Sequence, residues 1–201
     1  MRSVTGYNLY EETYNASGGY VDDDWEVHAT AFTHVPSSAP DFFGASGPAE
    51  SGGVGYGEKR FNKMAALGLQ TRVGIAKEES RYQGGAIGKL WIEGARLLFL
   101  GEADFIRQQL TQAGVGQNQF VSYLGVTYFI RGFMLGGAYE LYQEDLAVKG
   151  TRREALDLEV NVFPWAHFEL NLLGRYQTRA TTAVGDTSNG SLLMLQLHYY
   201  L

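Results

Sequence analysis

The sequence predicts an all-β protein built as an antiparallel up-and-down sheet. Apolar and polar residues alternate along much of the chain and more sharply toward its C-terminal end, while helical periodicity is scarce. The composition is rich in turn formers and aromatic residues, with 26 Gly, 13 Tyr and 4 Pro in 201 residues. No helix-length spacer separates the alternating segments, so parallel crossovers have no room. The length suits one domain, taken as residues 1–201.

The segments follow in order. Val4 to Tyr14 reads as a weak first strand. Trp25 to Val35 sets Trp25, Val27, Ala29, Ala31 and Val35 against Glu26, His28, Thr30 and His34. Pro36–Arg60 is rich in Gly, Ser and Pro and is expected to be a long surface loop. Ala65 to Glu78 sets Leu67, Leu69, Val73 and Ile75 against Gln70, Arg72 and Glu78. Ala86 to Phe105 reads as one long strand whose ARLLFLG breaks the alternation, as a bulge or a change of tilt would. Gln119 to Ile130 is apolar on both faces. Phe133 to Glu144 sets Phe133, Leu135, Tyr139 and Leu141 against Glu140, Tyr142 and Glu144. Glu154 to Phe163 sets Leu156, Leu158, Val160 and Val162 against Asp157, Glu159 and Asn161. His167 to Gln177 sets Phe168, Leu170, Leu172 and Tyr176 against Glu169, Asn171, Arg175 and Gln177. The chain closes on Leu193, Leu195, Leu197, Tyr199 and Leu201, all on one face.

Several function classes drop out. A formal charge of −6 with no Lys/Arg cluster argues against a nucleic-acid partner. There is no cysteine, so disulfides and thiolate metal sites are excluded. His28 and His34 lie about 20 Å apart at ~3.3 Å per strand residue, too far to share a metal. GGVGYG at 52–57 lacks the strand-before, helix-after setting of a nucleotide-binding turn. No Ser/His or Asp/His set stands out, so no enzyme activity and no cofactor are expected.

Alternation alone does not say which face is wet. Strands that keep alternating for ten residues exceed the usual ~5–6 and match the ~9–11 of a membrane-crossing strand. Aromatics near segment ends, such as Phe163, Trp165, Tyr176 and Tyr199, match the girdles of membrane barrels. The segment Leu193, Leu195, Leu197, Tyr199 and Leu201 resembles the last strand of outer-membrane proteins of Gram-negative bacteria, which the barrel assembly machinery reads. It departs in ending on Leu where Phe is usual. The strand–loop rhythm extends a looser similarity to porin-like barrels over the whole chain.

That resemblance implies an antiparallel up-and-down transmembrane β-barrel in the bacterial outer membrane, in contact with outer-membrane lipid and open to homo-oligomer formation. Eight or nine strands are expected. Nine does not fit the even strand numbers of such barrels. Two resolutions stand. Trp25 to Leu201 forms an eight-stranded barrel, or the chain is the C-terminal portion of a larger one. The lack of an apolar export signal in MRSVTGYNLYEE favours the second.

The lumen would then be lined by Arg72, Glu140, Glu144, Asp157, Glu159, Asn161, Glu169, Asn171, Arg175 and Gln177, with an acidic excess that suits cations. A structural alternative pairs these charges with one another, Asp157 or Glu169 with Arg175. The function expected is a porin-like channel for small polar solutes or ions. A variant is a barrel sheathing a partner such as a redox carrier. The alternatives are a soluble antiparallel barrel binding a small apolar ligand, and a filled eight-stranded structural or adhesive barrel.

Overall fold

The computed structural model describes residues 13–34, 50–62, 64–77, 79–110, 116–180 and 187–200. They form eleven antiparallel strands in one sheet, each beside its neighbour in sequence. The strands are β1 (Thr13–Val21), β2 (Trp25–His34), β3 (Ser51–Phe61), β4 (Ala65–Ile75), β5 (Glu79–Ile92), β6 (Leu97–Leu110), β7 (Gly116–Ile130), β8 (Phe133–Gln143), β9 (Arg152–Trp165), β10 (Phe168–Ala180) and β11 (Thr187–Tyr199). Among the described residues β1 pairs only with β2 and β11 only with β10, so the sheet has two edges. Among the described residues no helix is long and apolar enough to cross a membrane, which says nothing of strands.

At one end of the sheet the connections are short: 22–24, 62–64, 93–96, 131–132 and 166–167. Four of these five carry one residue with positive φ: Asn62 (49°), Arg96 (53°), Gly132 (80°) and His167 (65°). Tight hairpins need that left-handed position to match strand twist. The fifth uses a side chain instead. The Asp22 carboxylate accepts the amides of Asp24 (2.8 Å) and Trp25 (2.6 Å). At the other end lies the connection 144–151, and there the described strand ends flank 35–49, 78, 111–115 and 181–186, which are outside the described residues.

The sheet is polar where proteins are usually apolar. Glu58 and Asp104 are 3% exposed, whereas Leu193 is 76% and Leu69 70% exposed. Among the described residues the buried apolar cluster is Ile106, Val121 and Tyr142. A face of bare Leu over a buried face of carboxylates and amides is the reverse of a water-soluble sheet.

The strand count corrects the expectation of eight or nine, and each discrepancy has a physical cause. The segment 51–60, expected to belong to the surface loop, is most of β3. Its outward positions Gly53, Gly55 and Gly57 carry no side chain, so no apolar period is visible. Glycine is required at Gly52, where a Cβ would overlap the Val73 carbonyl. The remainder of that loop, 36–49, lies outside the described residues. The long strand expected over 86–105 is two strands, β5 and β6, and the break in alternation is the hairpin 93–96. Apolar runs on both sides of a four-residue turn masked it. Residues 15–21, which lie between the first two expected strands, belong to β1, whose small residues hide the pattern. Val4 to Glu12 and Leu201 lie outside the described residues. A register shift between Phe168 and Leu170 brings Trp165 opposite Phe168, their rings stacked at 5.0 Å.

Candidate functional site

Strand register decides which residues share the polar face, because side chains alternate. Glu58 on β3 lies opposite Glu26 and Gly68, Arg72 opposite Val54 and Gln83, Asp104 opposite Gly85 and Val121, and Asp157 opposite Ala138 and Arg175. On the outward face of the described strands the charged residues are Lys59, Arg107, Arg152 and Glu154, all toward strand ends.

Side chains on the polar face reach across a whole strand. Lys89 on β5 donates to Glu58 on β3 at 2.5 Å. Gln70 on β4 donates to Glu102 and Asp104 on β6, 2.8 Å each. Arg175 on β10 pairs with Glu140 on β8. Neighbouring strands lie ~4.8 Å apart, so a bridge over the strand between needs a small residue beneath it and favours a concave face. Gly68 lies beneath the Lys89–Glu58 bridge, Gly85 beneath the Gln70–Asp104 bridge, and Ala155 beside the Arg175–Glu140 bridge. A Cβ at Gly85 would overlap the Asp104 carboxylate.

The face divides into two halves by the way its carboxylates are held. Across β2–β5 each is met by a cation. Glu26 pairs with Arg60, Glu50 with Arg72 (2.6 Å), Glu58 with Lys89 and Arg60 (3.3 Å), and Glu79 with Arg81 (2.7 Å). Tyr56 adds a hydroxyl to Glu58 at 2.5 Å. Across β6–β10 most are met by neutral donors. Gln70 holds Glu102 and Asp104. Asn161 (3.1 Å) and Asn171 donate to Glu159. Tyr200 and His198 (3.2 Å) hold Glu169. An amide orients a carboxylate without cancelling its charge. Among the residues whose side chains are described, the cations of this half are Arg153, on Glu144 at 3.0 Å, and Arg175, on Glu140 and Asp157 (3.3 Å).

All ten residues expected to line a lumen fall on this less exposed face. The structure joins Arg175 with Glu140 and Asp157, joins Glu159 with Asn161 and Asn171, and sets Arg72, Glu144 and Glu169 apart from them. The suggested Asp157–Arg175 pair is present, whereas Glu169 binds Tyr200 and His198 rather than Arg175. Sequence reasoning set Glu26 and Gln70 on polar strand faces but left them out of the lumen, and it missed Glu58, Lys89, Glu102 and Asp104 altogether. Those four lie in strands that were unseen or merged, so their facing was unknown. Locating the two flanking turns would have revealed them. The four described residues of the expected assembly signal, Leu193, Leu195, Leu197 and Tyr199, share the exposed face of β11 at 61–76% exposure.

The outward face carries aromatics in two rows. Trp25, Phe61, Tyr128, Phe133, Trp165, Phe168 and Tyr199 lie toward the short turns, and Tyr82, Phe105, Tyr139 and Tyr176 lie farther along. The Lys59 ammonium sits 4.8 Å from the Trp25 ring and 3.1 Å from Asp24 at the short-turn rim. Phe168 and Tyr176 are eight residues apart on β10, about 26 Å along the strand at ~3.3 Å per residue.

No family model and no curated protein matches the chain. A solved structure titled a bacterial polysaccharide outer membrane secretin superposes with a TM-score of 0.60 at 12% identity, covering 94% of this chain and 69% of that one. The two share a fold: an antiparallel up-and-down sheet of the kind seen in an outer-membrane protein.

Proposed function

We propose that the sheet is the wall of an outer-membrane barrel and that its polar face lines a channel for small polar solutes or ions, with a preference for cations. The observation that carries this reading is the reversed polarity of the sheet, with Leu faces bare and carboxylate, amide and guanidinium groups gathered on the sheltered face. Lipid would take the first face and a watery lumen the second. The separation of the aromatic rows supports it: about 26 Å along the strand becomes ~20 Å across the membrane at the usual ~40° tilt, of the same order as the ~25 Å apolar band of such barrels. The fold shared with an outer-membrane protein supports it as well. In lipid the edges of β1 and β11 must also find partners, since unpaired backbone groups there cost several kcal/mol each.

The preference for cations follows from the β6–β10 half, where carboxylates outnumber guanidinium groups, neutral amides hold three of the former and the Tyr200 hydroxyl holds a fourth. A wall of this sign disfavours an anionic polymer. The role proposed is passage without chemistry. The barrel assembly machinery would read the bare face of β11, and homo-oligomers remain compatible with the exposed Leu face.

The test is recovery of the chain in detergent with slower gel migration after boiling, followed by recording in a planar bilayer. Discrete conductance with a cation-favouring reversal potential is expected. A folded barrel that conducts nothing would replace the channel with a filled structural barrel. A monomer soluble without detergent would replace both with the soluble ligand-binding barrel.

A further inference from the structure

We propose that Arg175 is the specificity-determining residue of the β6–β10 wall, a counter-charge that sets how strongly the lumen prefers cations. The inference rests on the channel reading above. Arg175 reaches over β9 to Glu140 and sits 3.3 Å from Asp157. One position nearer the short turns on the same face of β9, Glu159 is held by Asn161 and Asn171 and meets no cation among the described residues. One guanidinium therefore covers two carboxylates beside a third that is already bare. The three side chains of the cluster are 26%, 20% and 16% exposed, so they face open space rather than a sealed interior.

Lys89 makes the contrast. It carries the same charge and also bridges a strand, but the side chain of its partner Glu58 is 4% exposed and keeps Arg60 and the Tyr56 hydroxyl when Lys89 is lost. Removing Lys89 uncovers no bare carboxylate. Removing Arg175 uncovers Glu140 and Asp157 together and joins them to Glu159 in one stretch of negative wall. Carboxylates lining a pore draw cations, and the local field rather than the total charge decides permeation.

The experiment uses the full chain, refolded in detergent and checked by slower migration after boiling, in planar bilayers under a KCl gradient. Arg175→Gln is expected to raise the potassium-to-chloride permeability ratio about two- to threefold. Lys89→Gln is expected to move it by less than half as much, and Arg175→Lys to stay near the parent. Equal shifts from Arg175→Gln and Lys89→Gln, or no shift from either, would overturn the proposal while the channel reading stands. A folded parent chain that conducts nothing would overturn both. Should Arg175→Gln fail to fold, the double variant Glu140→Gln with Asp157→Asn serves instead. It leaves the guanidinium uncovered and is expected to lower the ratio below that of the parent, and an unchanged ratio would overturn the proposal.

Discussion

The β2–β5 and β6–β10 halves of the polar face are built alike, from antiparallel strands at the same spacing, yet they hold most of their carboxylates in different ways. In the first half a cation meets every carboxylate named above, so charge cancels locally and the network acts as a brace. In the second, Gln70, Asn161, Asn171 and Tyr200 orient carboxylates without setting a counter-charge against them. A brace is the way to hold a wall, whereas an oriented bare charge is the way to act on what passes along it. The distinction turns on the donor, because an ammonium or guanidinium neutralises where an amide only fixes a direction.

The comparison presumes that both halves turn the same face to lipid, and the largest expected effect tests that premise. Leu195→Arg places a charge among the bare leucines of β11, where Leu195 is 61% exposed. A cost of about 2–4 kcal/mol is expected in lipid and nearly none in water. The unfolding midpoint in urea, measured in lipid vesicles, reads it, and a midpoint matching the parent would remove the lipid from the picture.

Next comes the difference between the halves. Glu58→Ala strips the partner from Lys89 and the hydroxyl contact from Tyr56 at a site 3% exposed. A loss of about 1–3 kcal/mol is expected, tempered because Lys89 is 44% exposed. Glu159→Ala leaves Asn161 and Asn171, which still bond each other at 2.5 Å, and is expected to cost about 1 kcal/mol, less than Glu58→Ala. Equal losses in the same unfolding assay would break the comparison.

Gly85→Val tests the seam between the halves. The added side chain meets the Asp104 carboxylate that Gln70 holds. Forcing that contact apart is expected to cost about 1–3 kcal/mol, and Gly84→Val, with open space at its Cβ, is expected to cost less. Matching midpoints for the two variants would show that the bridge over β5 adds nothing.

The smallest effect is local to the first hairpin. Amides of Trp25 and Asp24 and the Tyr20 hydroxyl hold the Asp22 carboxyl below its ordinary value. A depressed folded value means that the turn is supported above the unfolded value near pH 4, and that the support fades as pH falls through the folded one. Hydrogen exchange at the Asp24 and Trp25 amides should therefore be faster relative to the intrinsic rate at pH 3 than at pH 6. Asp22→Ala should abolish that difference.

How much of this was legible varied along the chain for identifiable reasons. Glu154 to Gln177 and the closing Leu face were clear, because large apolar side chains occupied every second position. The same period placed Arg175, Asp157 and Glu140 on one face. β3 was opaque because Gly53, Gly55 and Gly57 erase the outward signal. β5 and β6 were fused because a turn as short as 93–96 leaves the apolar content of its flanks unbroken. With those strands missing, Glu58, Lys89, Glu102 and Asp104 had no face to belong to.

By itself the sequence determined the all-β class, the antiparallel succession and the facing of the regular strands, since each follows from a period of two that neighbouring residues set between themselves. Tertiary structure alone decided who touches whom across a strand. That Gln70 holds Asp104 over Gly85, and that Arg175 rather than a neighbour in sequence meets Glu140, depends on register and curvature. Both are summed over many residue pairs along each strand, and no short stretch of sequence contains that sum.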